Sequence, residues 1–511
     1  MNKKQIVINI VVNGLSFAIG LAISFFLSPF IIENLGVDAY GFFQTANTFF
    51  SYAVILTIAV NSMAGRFISV AYHRGDIPKA EQYFNTVYLA NIVMAGVLFI
   101  ASIFLVVFLD RLIHIPADMV RDVKLMFLLI FIASLFVVMM SAQKNAMFVT
   151  NRVDIEAYIN IFKVMLRGAL LLVLFAWLRP SLIIIGLTSF AMMAAEGWAY
   201  AAAKRRLLPE IRVDIRLYNG ALLKELVQSG KWNVLNSLND ILTLGLDLVL
   251  ANIFLGPVAA GILAIARNIP NYIVQMFTIF WKSYMPSITK DYALNASGLL
   301  KNFLASFVPI TMIGSIIIGG VLGFGDAFYR LWLPSQDAEF LQLLTVLIIM
   351  VEFSFYSVRT LPGVFQVKKQ LKVFSVTTFS VAALSVVIVI TILRLTQDTQ
   401  IGLMAIAGVT SVLTNILNLV FVYPLAAKVM GEKWTVFIPP VPKGYACLAV
   451  VTALGFALRQ VWMVDSWGKL IAGGLAVAVL GFVVNLFILT NKEKRHHLWT
   501  GLRDRLHAKA N

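Results

Sequence analysis

The chain has 511 residues, 60% hydrophobic and only 13% charged, with 41 Lys and Arg against 25 Asp and Glu and a mean hydropathy of +0.86. Soluble domains carry about a quarter charged residues, so this composition excludes an ordinary water-soluble enzyme. The single cysteine, Cys447, excludes an intrachain disulfide and a zinc site built on several thiolates, and the net charge of +16, which would suggest nucleic acid in a soluble chain, is explained here by membrane topology.

Apolar runs close to the roughly 20 residues that cross a bilayer as a helix recur from end to end. They predict an all-α polytopic membrane protein with fourteen spans, near 7–32, 41–65, 84–109, 124–149, 157–178, 181–203, 232–255, 259–285, 302–325, 340–364, 373–394, 401–427, 444–463 and 467–490. The first run follows Lys3 and Lys4, is too long for a signal-peptide core, lacks a small-residue cleavage site, and is read as the first span. With fourteen spans, 29 Lys and Arg fall on the side of the termini and 8 on the other, while Lys163, Arg167, Arg267 and Arg359 lie within spans. That asymmetry places both termini in the cytoplasm.

The expected organisation is a six-helix lobe over 1–203, a basic cytoplasmic linker over 204–231, a second six-helix lobe over 232–430, and two further helices with a basic tail over 431–511. The linker carries seven Lys and Arg and reads as an interfacial segment obeying the charge rule, with lipid-surface contact or partner docking as the other roles open to it.

The stretch 229–282 reads as two spans joined by a turn at Gly256-Pro257. The first carries Asn233, Asn236, Asp240, Thr243 and Asp247 on one face. The second carries Arg267, Asn271, Gln275 and Thr278 on one face, with Pro270 as the expected kink. Ionisable groups in a bilayer cost about 2.5–3.5 kcal/mol each and face a bundle interior or a wet cavity, so these stripes are the candidate pathway lining. Asp247 and Arg267 lie nine residues before and eleven after Gly256, at similar depth on antiparallel helices. Two roles are therefore open to Arg267, an ion pair with Asp247 or contact with an anionic substrate, and they are compatible if the pair breaks during a cycle. Asp240, Asp247 and Glu352 are the candidate ion-coupling carboxylates, with H+ or Na+ as the coupling ion. Arg167 and Glu196, on consecutive spans, are expected to pair, and Lys163 and Arg359 to snorkel. His114 and His496-His497 sit in no metal-binding constellation.

A shift of 220 residues lays Asn13 on Asn233, Leu35-Gly36 on Leu255-Gly256, Gly41 on Gly261 and Tyr52 on Tyr272, and at 218 the run 113–116 meets 331–334. This points to a duplication of a six-span unit in parallel orientation, with spans 13 and 14 outside it, and hence to a carrier working around a site between its halves. Helix 1 answers with Asn9, Asn13, Ser16 and Gly20 on one face, and helix 2 with Asn47, Ser51 and Asn61, then Arg66.

The start rich in Asn and Ser, the turn Leu35-Gly36 to Tyr40-Gly41, Asn151-Arg152 and Leu331-Trp332-Leu333-Pro334 resemble the polysaccharide transporter family. These are the Wzx-type flippases of the multidrug/oligosaccharidyl-lipid/polysaccharide exporter superfamily. The resemblance covers nearly the whole chain through loose motifs. It implies flipping of undecaprenyl-pyrophosphate-linked oligosaccharide across the bacterial inner membrane for O-antigen, capsule or exopolysaccharide synthesis. Implied partners are the lipid-linked sugar, membrane lipids, a polymerase and glycosyltransferases, with no nucleic acid. Relatives in the superfamily export cationic drugs by ion coupling or move the peptidoglycan lipid precursor, and these are the alternatives. Arg267, Asn271, Gln275, Asn13, Asn47, Asn233 and Arg66 are the candidate substrate contacts. No cofactor, ATP-binding loop, metal or catalytic residue is expected, and no non-cytoplasmic loop is long enough to house an enzyme's site.

Overall fold

In the computed structural model, the described residues are 3–278, 299–353, 361, 365, 371–396, 398–437 and 440–490. The protein is a multi-pass, all-α membrane protein, with no strand among the described residues. Ten helices among these residues are long and apolar enough to cross a membrane, or eleven if the bent second helix counts as one span. The other expected spans fall on a helix broken at Gly245, on one broken at Arg267, and on Ala338–Ile349, which runs towards residues outside the described set.

By contacts the chain divides into two compact units, Met1–Ala264 with Leu393–Gly402, and Ile265–Ile392 with Leu403–Asn511. The first unit begins with α1 (Lys3–Leu35), α2 (Val37–His73), α3 (Ile77–Val107) and the short α4 (Leu109–Leu112). It continues with α5 (Val120–Val149), α6 (Val153–Trp177), α7 (Leu182–Leu207), α8 (Gly220–Leu244), α9 (Leu246–Leu255) and most of α10 (Pro257–Ala266). α5 is its central post, packed against α7, α3 and α2, with Met126, Phe127 and Ile130 fully buried. Caps set the starts: Asp76 accepts from Lys79 N at 3.1 Å before α3, and Asn219 accepts from Ala221 N before α8.

The linker is docked rather than loose. Arg212 N donates to Glu81 (2.7 Å), Asp214 N to Asn85 (2.9 Å) and Asn219 N to Thr86 (3.1 Å), so side chains of α3 satisfy its backbone.

The sharp turn after α1 and the one after α9 share a backbone conformation. Gly36 has φ 92° and ψ 165°, and Gly256 has φ 92° and ψ 174°, a region open in practice to glycine alone. The helices that follow meet glycine to glycine. A methyl added at Gly41 would lie 2.7 Å from the Pro257 carbonyl, and one added at Gly261 would lie 2.1 Å from the Val37 carbonyl. Residues 37 and 41 thus face 257 and 261 reciprocally, as a local twofold requires. The shift is the 220 residues read from the sequence.

The second unit contains α11 (268–278), α12 (Leu299–Trp332), α13 (Ala338–Ile349), α14 (Leu371–Leu395, its last residues belonging to the first unit) and α15 (Thr399–Leu417, most of it). A π-helical widening over Asn418–Val422 leads into α16 (Tyr423–Met430), which ends on Gly431 in the left-handed conformation. α17 (Pro440–Val461) and α18 (Trp467–Leu489) pack on α12. Small residues allow this: a methyl on Gly323 would lie 2.8 Å from the Gly455 Cα, and one on Gly319 2.7 Å from Val451 Cγ1. The buried Asn485 amide donates to Ser315 at 2.8 Å, and Arg459 of α17 grips Asp326 of α12 with both forks.

Candidate functional site

In the first unit a stripe of polar groups runs along one face of α6. Glu156, Asn160, Lys163 and Arg167 are spaced four, three and four residues apart and all are half-buried. Phe162, Met165, Leu172 and Val173 on another face are exposed, as a lipid-facing surface should be. Each polar rung meets a different helix. Glu156 pairs with Lys144 of α5 at 2.5 Å, Asn160 donates to Ser16 of α1 at 2.9 Å, and Lys163 pairs with Glu196 of α7 at 3.1 Å. Tyr200, one turn along α7, also donates to Glu196 at 3.3 Å.

This corrects the expected Arg167–Glu196 pair and the expected snorkelling of Lys163. Lys163 lies ten residues from the start of α6, and Glu196 eleven from the end of the antiparallel α7, so those two are level. Arg167 is one turn deeper, and its guanidinium lies 4.7 Å from the centroid of the Phe43 ring instead.

Several groups expected to line the pathway hold helices together. Asn9 donates to the Asn151 carbonyl (3.3 Å) and accepts from Asp154 N (3.1 Å), fastening α1 to the α5–α6 turn. Asn61, Asn91 and Ser141 form a closed hydrogen-bonded trio between α2, α3 and α5. α2 bends by 62° between Val37–Tyr52 and Thr57–His73, and there the Tyr52 hydroxyl donates to the Gly245 carbonyl at 2.7 Å, at the α8–α9 break. A cavity of about 300 Å³ lies beside this bend, lined by Phe49, Phe50, Tyr52, Phe131 and Ser134 among others.

Of the predicted contacts in the first unit, Asn13 is exposed and donates to the Asn9 carbonyl (2.8 Å), Asn47 is half-buried, Arg66 is exposed and Asn233 is half-buried. Asp247 is half-buried in the first turn of α9. The side chains of Asp240, Asn236 and Thr243 lie outside the described residues, as does Arg359.

In the second unit Arg267 is buried, at the break between α10 and α11, beside buried Asn268. Asn271 and Gln275 follow at one-turn intervals and are exposed. The break is the work of Pro270. Having no N–H, it leaves the Ala266 carbonyl without its helical partner, and Thr345 of α13 donates to that carbonyl at 3.1 Å. Glu352 is buried at the end of a 3-10 turn that follows α13. Arg267, Asn271, Gln275 and Glu352 thus fall in the second unit, and Asn13, Asn47, Arg66, Asn233 and Asp247 in the first. Among the described residues no group of His, Cys, Asp and Glu is arranged to hold a metal.

The α6 stripe was missed by sequence reading. Its spacing was visible, but its partners come from three other helices that no spacing relates.

An inward-facing multidrug-resistance MATE family transporter of the MOP superfamily superposes with a TM-score of 0.60 at 13% identity, covering 80% of this chain and 96% of that one. The lipid II flippase MurJ in an inward closed conformation gives a TM-score of 0.61 at 11% identity, covering 94% of this chain and 98% of that one. The chain shares its fold with both of these proteins. By sequence it is 25% identical over 494 residues to EpsK of Bacillus subtilis (strain 168), described as an uncharacterized membrane protein, with 96% of each chain covered. No family model matches. Of these two solved proteins, one is a transporter and the other a flippase.

Proposed function

We propose that this chain is a flippase that moves undecaprenyl-pyrophosphate-linked oligosaccharide repeat units from the cytoplasmic to the outer leaflet of a bacterial cytoplasmic membrane, by alternating access, with both termini in the cytoplasm. The observation that carries it is the buried Arg267 at a helix break of a transporter fold. A fixed guanidinium fits phosphate oxygens through its planar fork, whereas a site for cationic drugs calls for a carboxylate without a competing cation. The exposed amides of Asn271 and Gln275, one and two turns on, suit a glycan's hydroxyls. The extent of the MurJ likeness, 94% of this chain against 80% for the multidrug transporter, also supports a lipid-borne substrate. Asp247 and Glu352 remain our candidates for coupling to H+ or Na+, together with Asp240.

The MATE likeness favours a second reading, an ion-coupled exporter of small cations, and the MurJ likeness a third, flipping of the peptidoglycan precursor. In a host lacking its own flippase, the wild-type chain should restore surface polysaccharide. Arg267→Ala should abolish that while still accumulating in the membrane, and Arg267→Lys should restore part of it. Unchanged export in Arg267→Ala removes the residue from the site. Resistance to cationic dyes without polysaccharide export selects the second reading, and rescue of peptidoglycan synthesis without it the third.

A further inference from the structure

The polar stripe of α6 is a ladder with one open rung. Glu156 is matched by Lys144, Asn160 by Ser16 and Lys163 by Glu196. The two ion pairs cancel in charge. Arg167, the remaining rung, has no carboxylate partner and no hydrogen bond among the described residues. Its Nε is buried without a hydrogen-bond partner, and its guanidinium carbon lies 4.7 Å from the centroid of the Phe43 ring. It sits ten residues before Trp177, roughly 15 Å along the axis from that end of the helix. An intramembrane cation is costly, and a cation–π contact returns only part of that cost. The ring fixes the guanidinium without using any of its N–H donors. Tyr40, whose ring centroid lies 6.5 Å from that of Phe43, accepts from Gln44 (2.8 Å) and lies 3.3 Å from the Ser28 hydroxyl.

We propose that Arg167 is an anion site within the first unit and that it takes the diphosphate of a prenyl-diphosphate-linked substrate. This rests on the flippase reading above and adds to it a phosphate contact separate from Arg267. The requirement is a dianion able to meet a planar fork with two oxygens beside the Phe43 ring. A diphosphate between a greasy chain and a glycan meets it. Neutral sugar hydroxyls would leave the charge unmatched.

The test uses the full chain in lipid nanodiscs, with labelled farnesyl diphosphate as the probe and pyrophosphate or farnesol as competitors. Wild-type protein should bind the probe saturably, with pyrophosphate competing and farnesol failing to compete. Arg167→Gln should weaken binding by about ten- to a hundredfold, the loss expected for charge-assisted hydrogen bonds. Arg167→Lys, which keeps the charge and loses the fork, should fall between. Equal binding by Arg167→Gln and wild type overturns the site. So does competition by farnesol equal to that by pyrophosphate, which would mean that only the tail is held. If Arg167→Gln fails to accumulate, undiminished binding by Arg167→Lys overturns it instead. Polysaccharide export is scored in parallel. Export by wild type together with unimpaired binding in Arg167→Gln removes this inference and leaves the flippase reading standing, whereas a wild type that neither binds the diphosphate nor restores export removes both.

Discussion

Pro270 lays out its own surroundings. Its ring cannot donate to Ala266, so the helix opens one turn earlier, at Arg267. The freed carbonyl is taken by Thr345, whose hydroxyl is also 2.7 Å from that of Tyr329. Thr345→Val keeps the shape and removes the donor. It should lower stability by about 1–3 kcal/mol, the cost of a buried carbonyl left unmatched. Thermal unfolding in detergent would show it, with Thr345→Ser close to wild type. The kink was legible in the sequence because proline's chemistry is local. The partner of Glu196 was not: it depended on whether residue 163 or 167 is level with it, and that needs helix ends known to within a turn. The same limit hid Arg167, which hydropathy scores as one more charge in a span.

Among the elements, the paired turns are the clearest case of sequence foretelling structure. The Leu-Gly at 35–36 and at 255–256 aligned at a shift of 220, and both glycines adopt the same rare conformation. The alignment could not say that the following helices touch. α2 and α10 do so backbone to backbone at Gly41 and Gly261, too closely for any side chain. Gly261→Ala would drive a methyl to 2.1 Å from a main-chain oxygen, which no rotamer change relieves. That variant should fail to yield folded protein, judged by monodispersity on size exclusion, whereas Gly20→Ala, with nothing within 4 Å, should behave as wild type. α2 also shows why polar faces mislead. Asn61 looked like pathway lining, but it closes a trio with Asn91 and Ser141 that ties three helices together. A polar stripe in a membrane helix reads the same whether it meets substrate or a neighbouring helix.

At the scale of the molecule, hydropathy marked out the ten long apolar helices found among the described residues, because each must be apolar over bilayer thickness whatever it packs against. The register at a shift of 220 residues left the final two helices outside the expected repeat, without indicating where they attach. They attach to α12, through glycines at 319, 323 and 455, the Asn485–Ser315 bond and the Arg459 fork on Asp326. A chain ending at Met430 would expose that glycine groove and leave Asp326 with Arg330 alone, 2.5 Å away. It should be degraded in vivo instead of accumulating as a functional core, and membrane immunoblots would read this. Co-expression of residues 431–511 as a separate piece should restore part of the yield.

That attachment settles what a reporter on the last helices can see. With α17 and α18 keyed to α12 by backbone proximity and a double guanidinium grip, they ride with it as one block. A spectroscopic probe in the short loop at 462–466 would therefore follow α12, giving a handle on that helix from a place where a dye disturbs none of the residues assigned to cargo.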